Sequence, residues 1–321
     1  MINNVPALDI YRFEIVLELL GDLETPKYMG SLLRGAFAWS FRRTVCVTKQ
    51  PVCDGCLLKG NCSYFRIFET ELAAGHIPYL KGVRKVPHPF VLTPPIDGKT
   101  RYTAGDLLKI ELKLFGSSVQ LLPYYVYVFQ HIGENGIGKN DTRFRVAGFS
   151  SISGAGQKEE VLSPDGKNVV TSFSPLSVLQ PDETELQAVE SITLDFITPV
   201  RLQGDGKVIL DGKKIAPPIL LNGITRRYLA LSGLYGSDGF SEIKPGFKFD
   251  LIRITENNLK LYDWGRYSNR QKTFLDMSGL TGSITLSGEI KEAIPWLLAG
   301  SFINMGKNTA FGLGQYTVKF N

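Results

Sequence analysis

Four cysteines, Cys46, Cys53, Cys56 and Cys62, fall in one short stretch of a 321-residue chain that has no others. Scattered pairs would suggest disulfides, whereas one tight cluster in a cytoplasmic chain suggests a metal or redox site. The spacing is C-x6-C-x2-C-x5-C. Four thiolates with one C-x2-C pair suit a closed, tetrahedral, structural zinc site, which leaves no position open for a substrate. An iron–sulfur cluster also takes four thiolates and ranks behind zinc here, and four reduced structural cysteines are the plain alternative. Lys49, Lys59 and Arg66 interleave with the cysteines, and Tyr64 and Phe65 follow the last of them. That mixture offers a nucleic-acid contact or a small packed knuckle.

A second segment with chemical potential is Gly306-Lys-Asn-Thr-Ala-Phe-Gly-Leu-Gly-Gln-Tyr316. Gly306, Gly312 and Gly314 let the backbone turn tightly and approach a ligand with no Cβ in the way. Lys307 adds a charge, and Asn308 and Thr309 add short hydrogen-bonding groups. Exposed amides in such a loop form a concavity suited to phosphate. It is not a Walker loop, because Lys307 precedes the glycine pair. The structural alternative is a tight turn followed by a strand bulge.

The elements that must position these segments are legible from periodicity. Tyr11–Glu18 alternates as a first strand, and Thr25-Pro26 opens a helix over 28–43 with Met29, Leu32, Leu33, Ala36, Phe37 and Phe41 on its apolar face. The pattern then predicts a strand at Pro87–Leu92, a strand at Leu107–Phe115, a helix at Leu121–Gln130 and a strand at Phe144–Phe149. The order β-α-β-β-α-β fits a ferredoxin-like, RRM-like domain. Further on, strands are predicted at Ser191–Ile197, Phe247–Ile254, Gly282–Leu286 and Tyr316–Phe320, with helices at Leu220–Leu234 and Ile290–Ser301. The second half therefore repeats the element order of the first. The fold class is α+β, with two tandem ferredoxin-like domains and a four-cysteine knuckle inserted in the first. The domains fall at 1–153, with the insert at 45–66, and at 189–321, with the glycine-rich loop at 306–316. Residues 154–188 are rich in Ser, Gly, Pro, Asp and Glu and read as a loop or hairpin and interdomain connection.

Composition sets outer bounds. The chain is 43% hydrophobic and 21% charged, with a net charge of +5. The mild basic excess permits a polyanionic partner without requiring one. No apolar run approaches the roughly 20 residues of a membrane span, and no secretory leader is evident, so a cytoplasmic protein with no membrane partner is expected.

Read together, several segments resemble one family. Gly306-Lys-Asn-Thr-Ala-Phe-Gly-Leu-Gly-Gln-Tyr316 is similar to the C-terminal signature of CRISPR repeat-processing endoribonucleases of the RAMP superfamily, the Cas-six type. Thr198-Pro-Val-Arg201, Arg226-Arg-Tyr228, Trp264-Gly-Arg-Tyr-Ser-Asn-Arg-Gln-Lys272, Gly279-Leu-Thr-Gly282 and Gly288-Glu-Ile290 resemble its second domain in order and spacing. Leu33-Arg-Gly-Ala-Phe37, Phe115-Gly116 and Gly136-Ile-Gly138 resemble its first. A branch of that family carries a comparable cysteine cluster just after the first helix.

The resemblance implies a metal-independent endoribonuclease that cuts precursor RNA within each repeat. The 2′-hydroxyl attacks the adjacent phosphate and leaves a 2′,3′-cyclic phosphate, and the product handle stays bound. It implies CRISPR repeat RNA and crRNA as partners, and other CRISPR effector subunits beside them. A catalytically silent crRNA-binding subunit is the alternative. Phosphate contacts fall to Arg34, Arg43, Arg226, Arg227, Arg266, Arg270 and Lys272, together with Gly306, Lys307, Asn308, Thr309, Gly312 and Gly314 of the loop. Arginine suits bidentate pairing with phosphate. Many members place a histidine on or just after the first helix. Here none lies between Tyr28 and Lys49, and the closest positional matches to the remaining catalytic groups are Tyr28, Arg42 and Lys49. His76 reads as a loop residue, His88 as part of a Pro-His-Pro turn, and His131 as a helix C-terminal cap.

Overall fold

The computed structural model describes residues 5–69, 86–163, 165–176, 188–268 and 273–321. Its contacts divide into two units, one built on Leu8–Ser177 and the other on Val178–Gly233 with Asp238–Asn321.

In the first unit, strand β1 (Ile10–Leu19) alternates so that Phe13, Ile15, Leu17 and Leu19 are buried while Arg12, Glu14 and Glu18 take the other face. That period of two is the signature of a strand with one side on a core. Helix α1 (Gly30–Val45) follows, then β2 (Phe90–Thr93), β3 (Leu107–Phe115), α2 (Leu122–Asn135), β4 (Phe144–Ile152) and the short β5 (Lys158–Glu160). The antiparallel sheet runs β2-β3-β1-β4-β5. The first four strands, numbered by their place in a βαββαβ unit, stand in the order 2-3-1-4 of a ferredoxin-like domain. Strand β2 begins only at Phe90, later than expected, because Pro87 and Pro89 have no N–H to give a ladder. The described part of the 154–186 excursion holds β5 and a bridge between Leu162 and Val169.

Aromatic rings fill the space between the helices and this sheet. The Phe37 ring stacks on Tyr125 at 5.0 Å and on Phe129 at 5.5 Å, and it meets Phe41, Phe68 and Phe90 edge-on or tilted. Burial drives this assembly, and ring pairs of this kind add about 0.5–1.5 kcal/mol each beyond it. Proline in its first turn starts α2, and Gly136, at φ 87°, ends it.

The second unit repeats the plan. Its elements are β6 (Ser191–Val200), α3 (Pro217–Tyr235), β7 (Ile252–Asn257), β8 (Lys260–Tyr262), β9 (Gly265–Ser268), β10 (Thr273–Asp276), β11 (Gly279–Gly288), α4 (Ile294–Ile303) and β12 (Tyr316–Phe320). The main sheet runs β7-β11-β6-β12, with β8 also pairing with β11, while β9 and β10 form a separate ladder. Both halves are therefore ferredoxin-like. Two boundaries differ from expectation. Phe247–Leu251 alternates like a strand, but Phe249–Leu251 is a 3-10 turn, and Phe247 and Phe249 lie ring to ring at 5.8 Å. Ile290–Ala293 is a turn that precedes α4, closed by the Ala293 amide donating to the Ile290 carbonyl at 2.8 Å.

Candidate functional site

The first helix carries three arginines and no acidic residue. Arg42 and Arg43 occupy its last turn, where cations oppose the negative end of the helix dipole. Arg42 is not loose. Its guanidinium donates to the Gln50 carbonyl and lies 5.6 Å from the centre of the Tyr64 ring. Arg43 is exposed and lies over Trp39 at 4.5 Å. Arg34 is half-buried, 5.3 Å from the Phe68 ring centre. Lys49 is exposed and sits at φ 53°.

Tyr28 is buried just before the helix begins, whereas Arg42 is near its end. At 1.5 Å per residue their backbones stand about 20 Å apart. The structure thus keeps Arg42 and Lys49 at one end of α1 and does not bring Tyr28 to them. No described histidine joins that end as a base in plain view. His88 bonds through Nδ1 to the Ile67 carbonyl at 3.0 Å and stacks on Phe90, so it serves the fold. His131 stacks on Tyr127 and lies 3.5 Å from the Glu134 carboxylate. His76 lies outside the described residues.

The four cysteines line one cavity of about 360 Å3, shared with Arg42, Thr48, Lys59, Tyr64 and Tyr124. The Thr48 hydroxyl stands between two of them, 3.9 Å from the Cys46 sulfur and 3.8 Å from that of Cys56. Short turns carry the chain around, with the Cys56 amide donating to the Cys53 carbonyl at 3.3 Å and the Lys59 amide to Cys56 at 3.1 Å. Burial pushes the Cys53 thiol up, and its neighbours Glu69, Cys62 and Cys46 push the same way against Arg42. Burial also works to raise Cys46, but Thr48, the Lys49 amide and Arg42 together outweigh it and hold that thiol low. Among the described residues no three ligand groups already stand at metal-holding separations. The donor set and its common cavity suit a thiolate metal, and closing on an ion requires the sulfurs to draw inward.

The glycine-rich loop has a different character from the anion cradle its composition suggests. Its amides are largely spent on its own fold. The Lys307 amide donates to the Arg201 carbonyl at 2.9 Å, Gly314 to Pro199 at 3.0 Å, and Met305 to Gly314 at 2.8 Å. A Cβ on Gly314 would lie 1.8 Å from the Met305 carbonyl oxygen, and one on Gly306 2.6 Å from that of Arg201. Both glycines have φ above 70°. They are required by the close approach of one backbone to another. Thr309 and Gly312 are buried, and the Gly312 carbonyl accepts from Thr198 Oγ1 at 2.7 Å. What the loop offers solvent is the Lys307 and Asn308 side chains at its tip.

The expected phosphate contacts of this unit separate in the same way. Arg226 is exposed. Its neighbour Arg227 is buried, and its guanidinium donates to the Ile303 and Asn304 carbonyls at the end of α4. Helical spacing puts adjacent residues about 100° apart, so one faces out and the other in. Arg227 is therefore a helix cap and not an RNA ligand. Arg266 lies on β9, and Arg270 and Lys272 fall outside the described residues. Sequence reading passed over three exposed aromatics, Trp39, Tyr124 and Tyr127. Their signal was available as aromatic residues on the polar side of amphipathic helices.

Residues 194–316 match the family model for the CRISPR-associated endoribonuclease Cas6. Residues 8–174, just over half of the chain, match a model described as an N-terminal domain. The Cas6 match thus covers the second half of the chain. A curated relative, an uncharacterized protein of Archaeoglobus fulgidus, is 25% identical over 301 residues, spanning 92% of each chain. Among solved structures, a Cas6 product complex aligns with TM-score 0.54 at 15% identity, over 97% of this chain and 100% of that one. Thermus thermophilus Cas6 aligns at 0.50 and 16% identity, over 98% and 100%. A partial Cas6-RT-Cas1–Cas2 complex aligns at 0.54 and 15% identity, over 100% of this chain and 47% of the other. Likeness at these identities establishes the Cas6 fold. Among the described residues, no helix is long and apolar enough to cross a membrane.

Proposed function

We propose that this chain is a cytoplasmic endoribonuclease of the Cas6 family that processes CRISPR precursor RNA without a catalytic metal. The observation carrying the reading is the Cas6 match over 194–316, a segment that ends in the Gly306–Tyr316 loop. In the proposed reaction the ribose 2′-oxygen attacks the adjacent phosphorus, and the bond from phosphorus to the 5′-oxygen breaks. The 2′-oxygen loses its proton and the leaving 5′-oxygen gains one, giving a 2′,3′-cyclic phosphate and a 5′-hydroxyl. Arg42, held by Gln50 and Tyr64, and the exposed Lys49 supply positive charge for the developing phosphorane. Lys307, Asn308, Arg43 and Arg226 are the proposed backbone contacts, and the cleaved RNA remains bound as a crRNA handle beside other CRISPR effector subunits.

Cys46, Cys53, Cys56 and Cys62 would hold a structural zinc, with an iron–sulfur cluster as the lesser choice. The ion would close the knuckle that fixes Arg42 and Lys49 and would leave no coordination position for RNA.

One observation favours a second reading, a catalytically silent crRNA-binding subunit. Tyr28 and Arg42 stand at opposite ends of α1, about 20 Å apart. Incubating the protein with repeat RNA in EDTA separates the two. A single cut ending in a cyclic phosphate supports the nuclease, whereas tight binding with no cut sinks it.

A further inference from the structure

Charge and aromatic exposure converge on one part of the first unit. From residue 30 to residue 66 the chain carries six basic residues, Arg34, Arg42, Arg43, Lys49, Lys59 and Arg66, and one acidic residue, Asp54. That segment is net +5, equal to the formal excess of the whole chain, so all the rest is neutral in sum. The positive field is therefore a property of α1 and the cysteine segment.

The same region exposes large rings. Trp39, Tyr124 and Tyr127 are 54%, 43% and 53% exposed. The inner faces of α1 and α2 meet through Phe37 with Tyr125 and Phe129, and through Phe41 with Tyr124. Trp39 is two residues beyond Phe37 and Tyr127 two before Phe129, about 200° around each helix from the buried ring. Both therefore point outward from neighbouring helices. Each ring has a neighbour lying over it. Arg43 lies over Trp39 at 4.5 Å, and His131 lies on Tyr127 at 6.1 Å and 11°. Lys59 covers Phe65 at 4.7 Å, and Tyr124 joins this face to the cysteine cavity.

Rings beside cations, on a segment with a strong basic excess, match the chemistry of unpaired RNA, whose bases stack on aromatic faces while phosphates take the cations. We propose that the outer face of α1 and α2 is a single-stranded RNA platform that stacks unpaired bases on Trp39, Tyr124 and Tyr127 and takes their phosphates on Arg43 and Lys59. This rests on the reading that the protein binds CRISPR repeat RNA. It adds a surface on a different unit from the glycine-rich loop and specifies unpaired nucleotides next to the repeat.

The test uses the full chain with labelled repeat RNA, with and without unpaired flanks, and a uridylate oligomer. W39A/Y127A should weaken binding of the flanked RNA and the uridylate about tenfold or more, given what each stacked base contributes. Binding of unflanked repeat should change little, and W39F/Y127F should restore most of the loss. A matching thermal transition in all three proteins shows that folding is intact. Trp39 fluorescence, quenched by stacking, should fall when uridylate binds the wild type. Flanked and unflanked RNA bound equally by wild type and W39A/Y127A would overturn the platform and leave this face to a protein partner. Wild-type protein that binds no repeat RNA at all would instead overturn the proposed function.

Discussion

Arg227 Nη2 donates to the Ile303 carbonyl at 2.9 Å, while its Nε is shared between the Ile303 and Asn304 carbonyls at 3.1 and 3.0 Å. One buried guanidinium thus closes the last turn of α4. Asn304, itself buried at φ 62°, then donates to the Leu313 carbonyl at 3.1 Å and ties the helix end to the glycine-rich loop. Arg227→Ala should cost about 2–3 kcal/mol, because hydrogen bonds from a charged group are lost and buried carbonyls are left without it. Arg226→Ala should leave stability unchanged and weaken RNA binding with a reduced salt slope. Urea unfolding beside salt-titrated binding distinguishes the pair.

Gly314→Ala should destabilise by about 3 kcal/mol or more, since φ is 75° and the new Cβ would overlap the Met305 carbonyl. Gly35→Ala is the control. Nothing lies within 4 Å of its Cβ position, on a helix, so a gain of about 0.5–1 kcal/mol is expected. Opposite shifts in urea midpoint would check both.

Glu111 accepts from Arg12 at 2.5 Å and from Lys113 at 3.4 Å. Burial alone would raise its carboxyl, but Lys113 and Arg12 outweigh that and hold it below the usual glutamate range. A depressed carboxylate adds stability that is fully present above its unfolded value and is lost as pH falls through the folded one. Glu111→Gln should therefore lower the thermal midpoint near pH 7, and the gap from wild type should close as pH falls through the carboxylate range. Thermal scans across that range measure it.

Tyr125 is fully buried in the aromatic cluster, and its hydroxyl has no hydrogen-bond partner among the described residues. Tyr125→Phe should be neutral or stabilise by about 1 kcal/mol, because an unsatisfied polar group is removed with the ring kept. A loss in calorimetric midpoint would show that the hydroxyl is bonded in solution.

If the cysteines hold zinc, elemental analysis should find it in equal proportion to protein, with no visible absorbance of an iron–sulfur cluster. Stripping it, or Cys56→Ser, should lower the thermal midpoint and slow cleavage by loosening Arg42 and Lys49. Cleavage by the untreated protein in a brief EDTA exposure should persist, since the proposed chemical step uses no metal.

The sequence made the sheets legible where alternation is strict, as in Ile10–Leu19 and Leu107–Phe115, because a one-sided strand writes its burial into every second residue. It misplaced the strand near Phe247, where two rings two residues apart pair locally and imitate that alternation. The site was less legible. Arg226 and Arg227 are identical in type and adjacent, and only the helical rotation decides which meets solvent. The contact of Arg12 with Glu111 joins residues 99 apart in sequence, and no local pattern announces it. Gly306 and Gly314 stand out in the sequence, but the backbone they accommodate is the protein's own.

Each sheet places its earliest strand in the middle. Ile15 on β1 pairs with Ile110 on β3 and with Phe149 on β4, and Leu194 on β6 pairs with Ile284 on β11 and Val318 on β12. During synthesis, β1 must therefore wait with one edge open until residues beyond 144 have emerged, and β6 until those beyond 316. Such non-local pairing slows folding and lengthens exposure of sticky edges. The closing strand of the second sheet immediately follows the glycine-rich loop, so that loop can settle only in the last folding step of its unit.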